Sequence, residues 1–197
     1  MSISFRILWL ISWPFLNLFF PRKTYGKENR PSDGAYLICA NHPSSFDPFL
    51  VTYSIGIKHH IHFMGKIEIF NVPLVGAVLR GIGMIAVDRT SGGAMAMKQA
   101  MKLLKSGKKV GMFPEGTRVK AEEGAAAKAG TVRMAARMNV PILPVYIEND
   151  KKLFRRNKVV IGEAYFLPLD KTASAEEFDK AANELMEKIQ QLGETVR

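Results

Sequence analysis

The sequence predicts an α/β fold: a single domain with a mixed, largely parallel central sheet flanked by helices, preceded by an apolar N-terminal helix that anchors the chain to a membrane. Three observations predict it. Short apolar runs of strand length alternate with segments of helical spacing or composition, the pattern of a sheet covered by helices. Those runs end at Asn, Pro, Gly or charged residues, as buried strands do where they feed loops. Residues 7–20 form an uncharged, aromatic-rich run.

That run reads ILWLISWPFLNLFF, with Trp9 and Trp13, residues that settle at lipid interfaces. As a helix it rises only about 20 Å against a hydrocarbon core of roughly 30 Å. Pro14 interrupts it, so a re-entrant or interfacial anchor is expected rather than a straight span; a buried core helix is the alternative. No small-residue cleavage pattern follows Phe20, where Pro21, Arg22 and Lys23 come instead, which argues against a signal peptide. Arg22, Lys23, Lys27 and Arg30 outnumber Arg6 upstream, which places the body of the protein on the cytoplasmic side.

Residues 1–34 are thus read as a membrane-anchoring helical segment with a basic linker, and residues 35–197 as the functional domain. In the latter, strands are expected at 35–40, 61–64, 84–87, 110–113, 142–147 and 158–161. Helices are expected at 48–54, 73–80, 93–105, 128–138 and 175–192.

The formal net charge of +10 draws the surface to nucleic acid, anionic headgroups or phosphorylated substrates. No helix-turn-helix, zinc or aromatic-sheet signature supports nucleic acid, and the apolar N-terminus favours lipid. The densest basic run, residues 151–158 (KKLFRRNK), is read as a contact for anionic headgroups; an acidic carrier protein or plain solvation are its alternatives. Cys39 is the single cysteine and cannot form an internal disulfide; strand alternation makes it a small buried residue. His59, His60 and His62 cannot all face one ion, because strand neighbours alternate sides. No Cys or carboxylate set with metal spacing accompanies them, so no metal and no cofactor is expected.

Two segments carry chemistry. In Asn41-His42-Pro43-Ser44-Ser45-Phe46-Asp47, a continuous helix would set His42 and Asp47 about 140° apart. Pro43 and the serines are expected to make a turn in which Ser44 or Ser45 caps a following helix, with Asp47 in its first turn and His42 on the loop. The carboxylate then fixes the imidazole tautomer and steadies the imidazolium that forms on proton uptake. In Phe113-Pro114-Glu115-Gly116-Thr117-Arg118, Pro and Gly shape a tight loop. Gly116 allows close backbone approach, and Arg118 offers a planar fork of donors suited to phosphate. A strand-like segment ends in Asp88-Arg89, so Arg89 is a second candidate phosphate ligand. Val140-Pro141-Ile142-Leu143-Pro144-Val145 reads as an apolar wall.

Together these segments resemble the glycerolipid acyltransferases, whose four ordered blocks are NHxxxxD, a strand ending in Arg, FPEGTR and a VPIxPV-like block. The strand ending in Arg89 is the least faithful of the blocks, because Ala86 stands where the family commonly has an aromatic. The resemblance implies that His42 is the general base and that Asp47 orients it and stabilises its charge. It implies that Arg89 with Glu115, Gly116, Thr117 and Arg118 binds the glycerol phosphate, and that Lys66 assists. It further implies transfer of a fatty acyl group from acyl-CoA or acyl-carrier protein to the sn-2 hydroxyl of a lysophosphatidate acceptor, at the cytoplasmic face of a bacterial inner membrane. Glycerol 3-phosphate, another lysophospholipid or an amino-acid lipid are the alternative acceptors. A lipid-binding relative is the reading outside the enzyme class. Oligomeric state is left open.

Overall fold

The computed structural model describes residues 3–90, 92–116 and 128–196. Seven strands form one sheet: β1 (Arg22–Tyr25), β2 (Leu37–Ala40), β3 (Ile61–Lys66), β4 (Ile85–Val87), β5 (Lys109–Met112), β6 (Ile142–Ile147) and β7 (Asn157–Ile161). Their order is β1-β7-β6-β2-β5-β3-β4. All pairings are parallel except β6 with β7, so the sheet is mixed and mostly parallel, as expected. The helices are α1 (Ile3–Phe19), α2 (Asp47–Ile55), α3 (Ile67–Phe70), α4 (Val75–Gly81), α5 (Ala94–Lys105), α6 (Gly130–Met138) and α7 (Ala175–Glu194).

Strand alternation divides the core in two. Leu37 and Cys39 of β2 face one side, packed among α5 (Ala96, Ala100, Leu104), α6 and α7 (Phe178, Leu185, Ile189). Ile38 and Ala40 face the other, against Leu50, Val51 and Ile55 of α2. Strand β2 lies between β5 and β6, buried on both faces, which is why its sequence is a continuous apolar run. Helix α7 starts at a capping box in which Ser174 and Glu177 satisfy each other's backbone N–H groups.

Three expectations are corrected. Residues 22–25, expected in a linker, form edge strand β1, paired in parallel with β7. The edge position leaves RKTY partly exposed, so no buried-strand pattern marks it. Pro14 does not interrupt α1, which runs through it for 17 residues. The carbonyl its ring deprives of a partner belongs to Leu10, on the outward face where Leu10 is 64% exposed. Neither Ser44 nor Ser45 caps α2: its N-cap is Phe46, without a side-chain cap bond. Instead the Asp47 carboxylate accepts from the Ser44 N–H at 2.7 Å and closes the turn itself.

Helix α1 has two apolar sides. The inner one meets the body: Phe5 stacks on His60, Trp9 packs against Tyr53 of α2, and the Tyr53 hydroxyl donates to the Trp9 carbonyl. The outer one leaves Ile3, Ile7, Leu10, Ile11 and Leu18 exposed. Among the described residues, no helix is long and apolar enough to cross a membrane.

Candidate active site

Parallel strands deliver the loops at their C-terminal ends to one edge of a sheet, where α/β folds place their sites. Here β2 delivers His42, β5 delivers Glu115 and β6 delivers the loop holding Lys151, from three adjacent strands. The His42 Nδ1 lies 2.9 Å from Asp47 Oδ2, and Asp47 is fully buried. A carboxylate accepts only, so Nδ1 carries the proton and donates, leaving Nε2 with its lone pair. The His42 side chain is 17% exposed, so the ring remains reachable.

The ring also rests on an aromatic stack. Phe113 lies parallel to the imidazole at 3.9 Å, and Phe63 lies against Phe113 at 5.7 Å. Gly111 makes room for this: a Cβ there would come within 2.4 Å of the Phe63 ring. The backbone of His42 is fixed as well, since its N–H donates to Glu115 Oε2 at 3.1 Å. Glu115 is buried, and burial, with the nearby Asp47 charge, pushes its carboxyl up to about 7 against the lowering effect of the His42 N–H.

Asn41 completes the frame. Its side chain accepts from the Ile147 N–H and donates to the Ile147 carbonyl and to Asn149 Oδ1, clamping the end of β2 to the end of β6. That clamp sets the loop in which Lys151 places Nζ 2.8 Å from Asp47 Oδ1, with 6% of its side chain exposed. Sequence reasoning placed Lys151 in a basic surface run; no local signal marks its partner, more than a hundred positions earlier.

Of the remaining predicted residues, Lys66, Arg89 and Gly116 lie at the same edge. Lys66 ends β3, in register with Val87 of β4, and Arg89 follows β4; both are exposed. The Arg89 guanidinium donates to the Gly116 carbonyl. Gly116 has φ +69°, and a Cβ there would meet the Lys128 stem at 3.0 Å, so Lys128 joins Arg89 beside this turn. Thr117 and Arg118 lie outside the described residues. Cys39, buried in β2, has its thiol pushed well up by burial and is unsuited to act as a nucleophile. His60 and His62 stack on each other, while His59 bonds the Tyr36 hydroxyl.

A histidine steadied by a buried acid beside a cationic turn is a constellation for deprotonating a hydroxyl next to an anion. Residues 21–148 match the family model described as acyltransferase, and the chain belongs to that family. It is similar to the 1-acyl-sn-glycerol-3-phosphate acyltransferase of Bacillus subtilis (strain 168), with 36% identity over 72% of each chain. The protein of the same name from Borreliella burgdorferi is 33% identical over 67% of this chain and 53% of its own. In fold the chain resembles the crystal structure of the 1-acyl-sn-glycerophosphate (LPA) acyltransferase PlsC from Thermotoga maritima. The TM-score there is 0.73 at 24% identity, covering 98% of this chain and 80% of that one.

Proposed function

We propose that this acyltransferase moves a fatty acyl group from a thioester, carried by coenzyme A or acyl-carrier protein, to the sn-2 hydroxyl of 1-acylglycerol 3-phosphate, making phosphatidate for phospholipid synthesis. The observation that carries the reading is the His42–Asp47 pair at 2.9 Å with the carboxylate fully buried. The names of the relatives support the acceptor.

The acceptor hydroxyl gives its proton to Nε2 of His42 as its oxygen attacks the thioester carbonyl carbon. The imidazolium that results is stabilised by Asp47. The tetrahedral oxyanion then collapses, the C–S bond breaks, and the proton passes from His42 to the departing sulfur. A thioester is already activated, so alignment and a base suffice and no enzyme nucleophile is needed. Lys66, Arg89, Gly116, Thr117, Arg118 and Lys128 are proposed to hold the acceptor phosphate. Glu115 is proposed to fix the His42 backbone; its raised pKa limits its repulsion of that phosphate near neutral pH.

The exposed apolar side of α1 supports placement at a membrane, and the basic residues after it support the cytoplasmic face of a bacterial inner membrane. Leu153 and Phe154 extend the same surface, 56% and 62% exposed, with Phe154 packed on Phe19. The test is to give detergent-purified wild type and His42→Ala a labelled acyl thioester with lysophosphatidate, glycerol 3-phosphate or lysophosphatidylcholine. Phosphatidate from the wild type, reduced about 10²- to 10⁴-fold in the variant, is the expected result. Product from a different acceptor would overturn the substrate, and no product from any would overturn the enzymatic reading.

A further inference from the structure

Long lysine side chains ordinarily keep their ammonium in water. Lys151 does not: its side chain is 6% exposed and Nζ meets Asp47 Oδ1 at 2.8 Å. Neither atom has another hydrogen-bonding partner among the described residues. The carboxylate is therefore divided. Oδ2 serves the His42 ring at 2.9 Å and the Ser44 N–H at 2.7 Å, while Oδ1 serves the ammonium. Burial lowers the Lys151 pKa and Asp47 opposes that shift.

The loop is built to hold this contact. Asn41 clamps its start through Ile147 and Asn149. Asn157 accepts from the Lys152 N–H and donates to the carbonyls of Lys152 and Arg155. The Phe154 N–H donates to the Phe19 carbonyl at the end of α1. Lys151 is held from both sides, so its position is fixed by backbone rather than by its own flexible stem.

We propose that Lys151 is the positioning residue of the His42–Asp47 pair: its ammonium holds the Asp47 carboxylate in place and offsets part of its charge, setting the pH above which His42 is free to act as base. The proposal rests on the acyltransfer reading above. Among the described residues, the charged groups facing this centre are Asp47 from α2, Glu115 after β5, and Lys151 with Glu148 after β6. Removing the only cation among them leaves the imidazole beside an undiluted carboxylate, which favours the imidazolium. Proton uptake by the base then begins at higher pH.

The experiment compares pH–rate profiles of the full chain with those of Lys151→Met and Lys151→Arg, all in detergent with saturating thioester and lysophosphatidate. In Lys151→Met the acidic limb is expected to move up by about one pH unit. On the acidic limb of the profile that move cuts kcat by up to about tenfold, and on the alkaline plateau it leaves kcat unchanged. The loss recovers toward alkaline pH, and KM stays within about twofold. Lys151→Arg, which keeps the charge, restores the limb. Should Lys151→Met fail to fold, Lys151→Gln gives the same comparison, since it can bond Oδ1 without charge. A limb left in place by the neutral variants, with activity lost equally at every pH, would overturn the proposal while leaving the acyltransfer reading intact. An inactive wild type would overturn both.

Discussion

Asp47→Asn removes one charge from a site in which both carboxylate oxygens face donors. Oδ2 accepts from His42 Nδ1 at 2.9 Å and the Ser44 N–H at 2.7 Å, and Oδ1 faces Lys151 Nζ at 2.8 Å. An amide has one acceptor end, so its NH₂ must point at either an imidazole N–H or an ammonium. If it turns to the ring, His42 must move its proton to Nε2, the nitrogen that has to accept. That tautomer error costs about 10⁴ in rate in the serine-protease triad, and a loss of about 10² to 10⁴ is expected here. If it turns to Lys151, the buried ammonium loses its acceptor together with its counter-charge, a change worth about 3 to 5 kcal/mol of stability. The assay has two arms, phosphatidate formation and thermal unfolding in the same detergent, on Asp47→Asn and on Asp47→Asn combined with Lys151→Met. The double variant is expected to regain most of the lost stability and none of the lost activity. Activity of Asp47→Asn within tenfold of wild type would refute the role given to the carboxylate, and so would a double variant that recovers transfer.

Glu115 sets a pH dependence of stability. Its carboxyl is raised from 4.5 to about 7 in the fold, so the folded state holds its proton more tightly than the unfolded one. The stability it contributes is complete below the unfolded value and is lost as pH rises through the folded one. The total is up to about 3 kcal/mol; Glu115→Gln should flatten that part of the melting-temperature profile between those values, and an unchanged profile would contradict it. Gly116→Ala forces a non-glycine residue to φ +69° and pushes its Cβ at Lys128, a strain of about 1 to 2 kcal/mol. A raised KM for the lysophosphatidate acceptor at little-changed thioester KM is expected, and equal rises for both would disconnect this turn from the phosphate. Replacing Ile7 and Ile11, 52% and 69% exposed, by Asp should lower sedimentation with anionic vesicles at least tenfold, since each buried aliphatic contributes about 1.5 to 3 kcal/mol. Undiminished binding would move the membrane contact elsewhere.

The five interior strands and their covering helices were legible because burial on both faces writes continuous apolar runs into a sequence, and edge strand β4 was legible because its residues, Ile85–Val87, are all apolar. Strand β1 was not, because an edge strand with one partner can be RKTY and still pair. The His42–Asp47 contact was legible because both ends of it lie in one short turn. The Lys151 contact was hidden for the opposite reason. It exists only because β6 lies next to β2, a fact of sheet order that no window of sequence contains. Lys128 was likewise hidden: its stem lies beside Gly116, while its own neighbours read as a helix start. Glu115 was legible as a site residue, yet its hydrogen bond to the His42 backbone depends on β2 and β5 being neighbours.

Cys39 sits at the centre of the sheet, between β5 and β6 and three positions before His42. It is the only thiol in the chain, and no reagent can reach it while α5, α6 and α7 stay packed on its face of the sheet. The protein thus carries its own opening gauge. The rate at which a maleimide labels it reads how often that helical layer lifts from the middle of the sheet, without any engineered probe. Comparing that rate with and without a bound acyl donor would measure how far substrate tightens the helices packed over the strands that deliver His42 and Glu115.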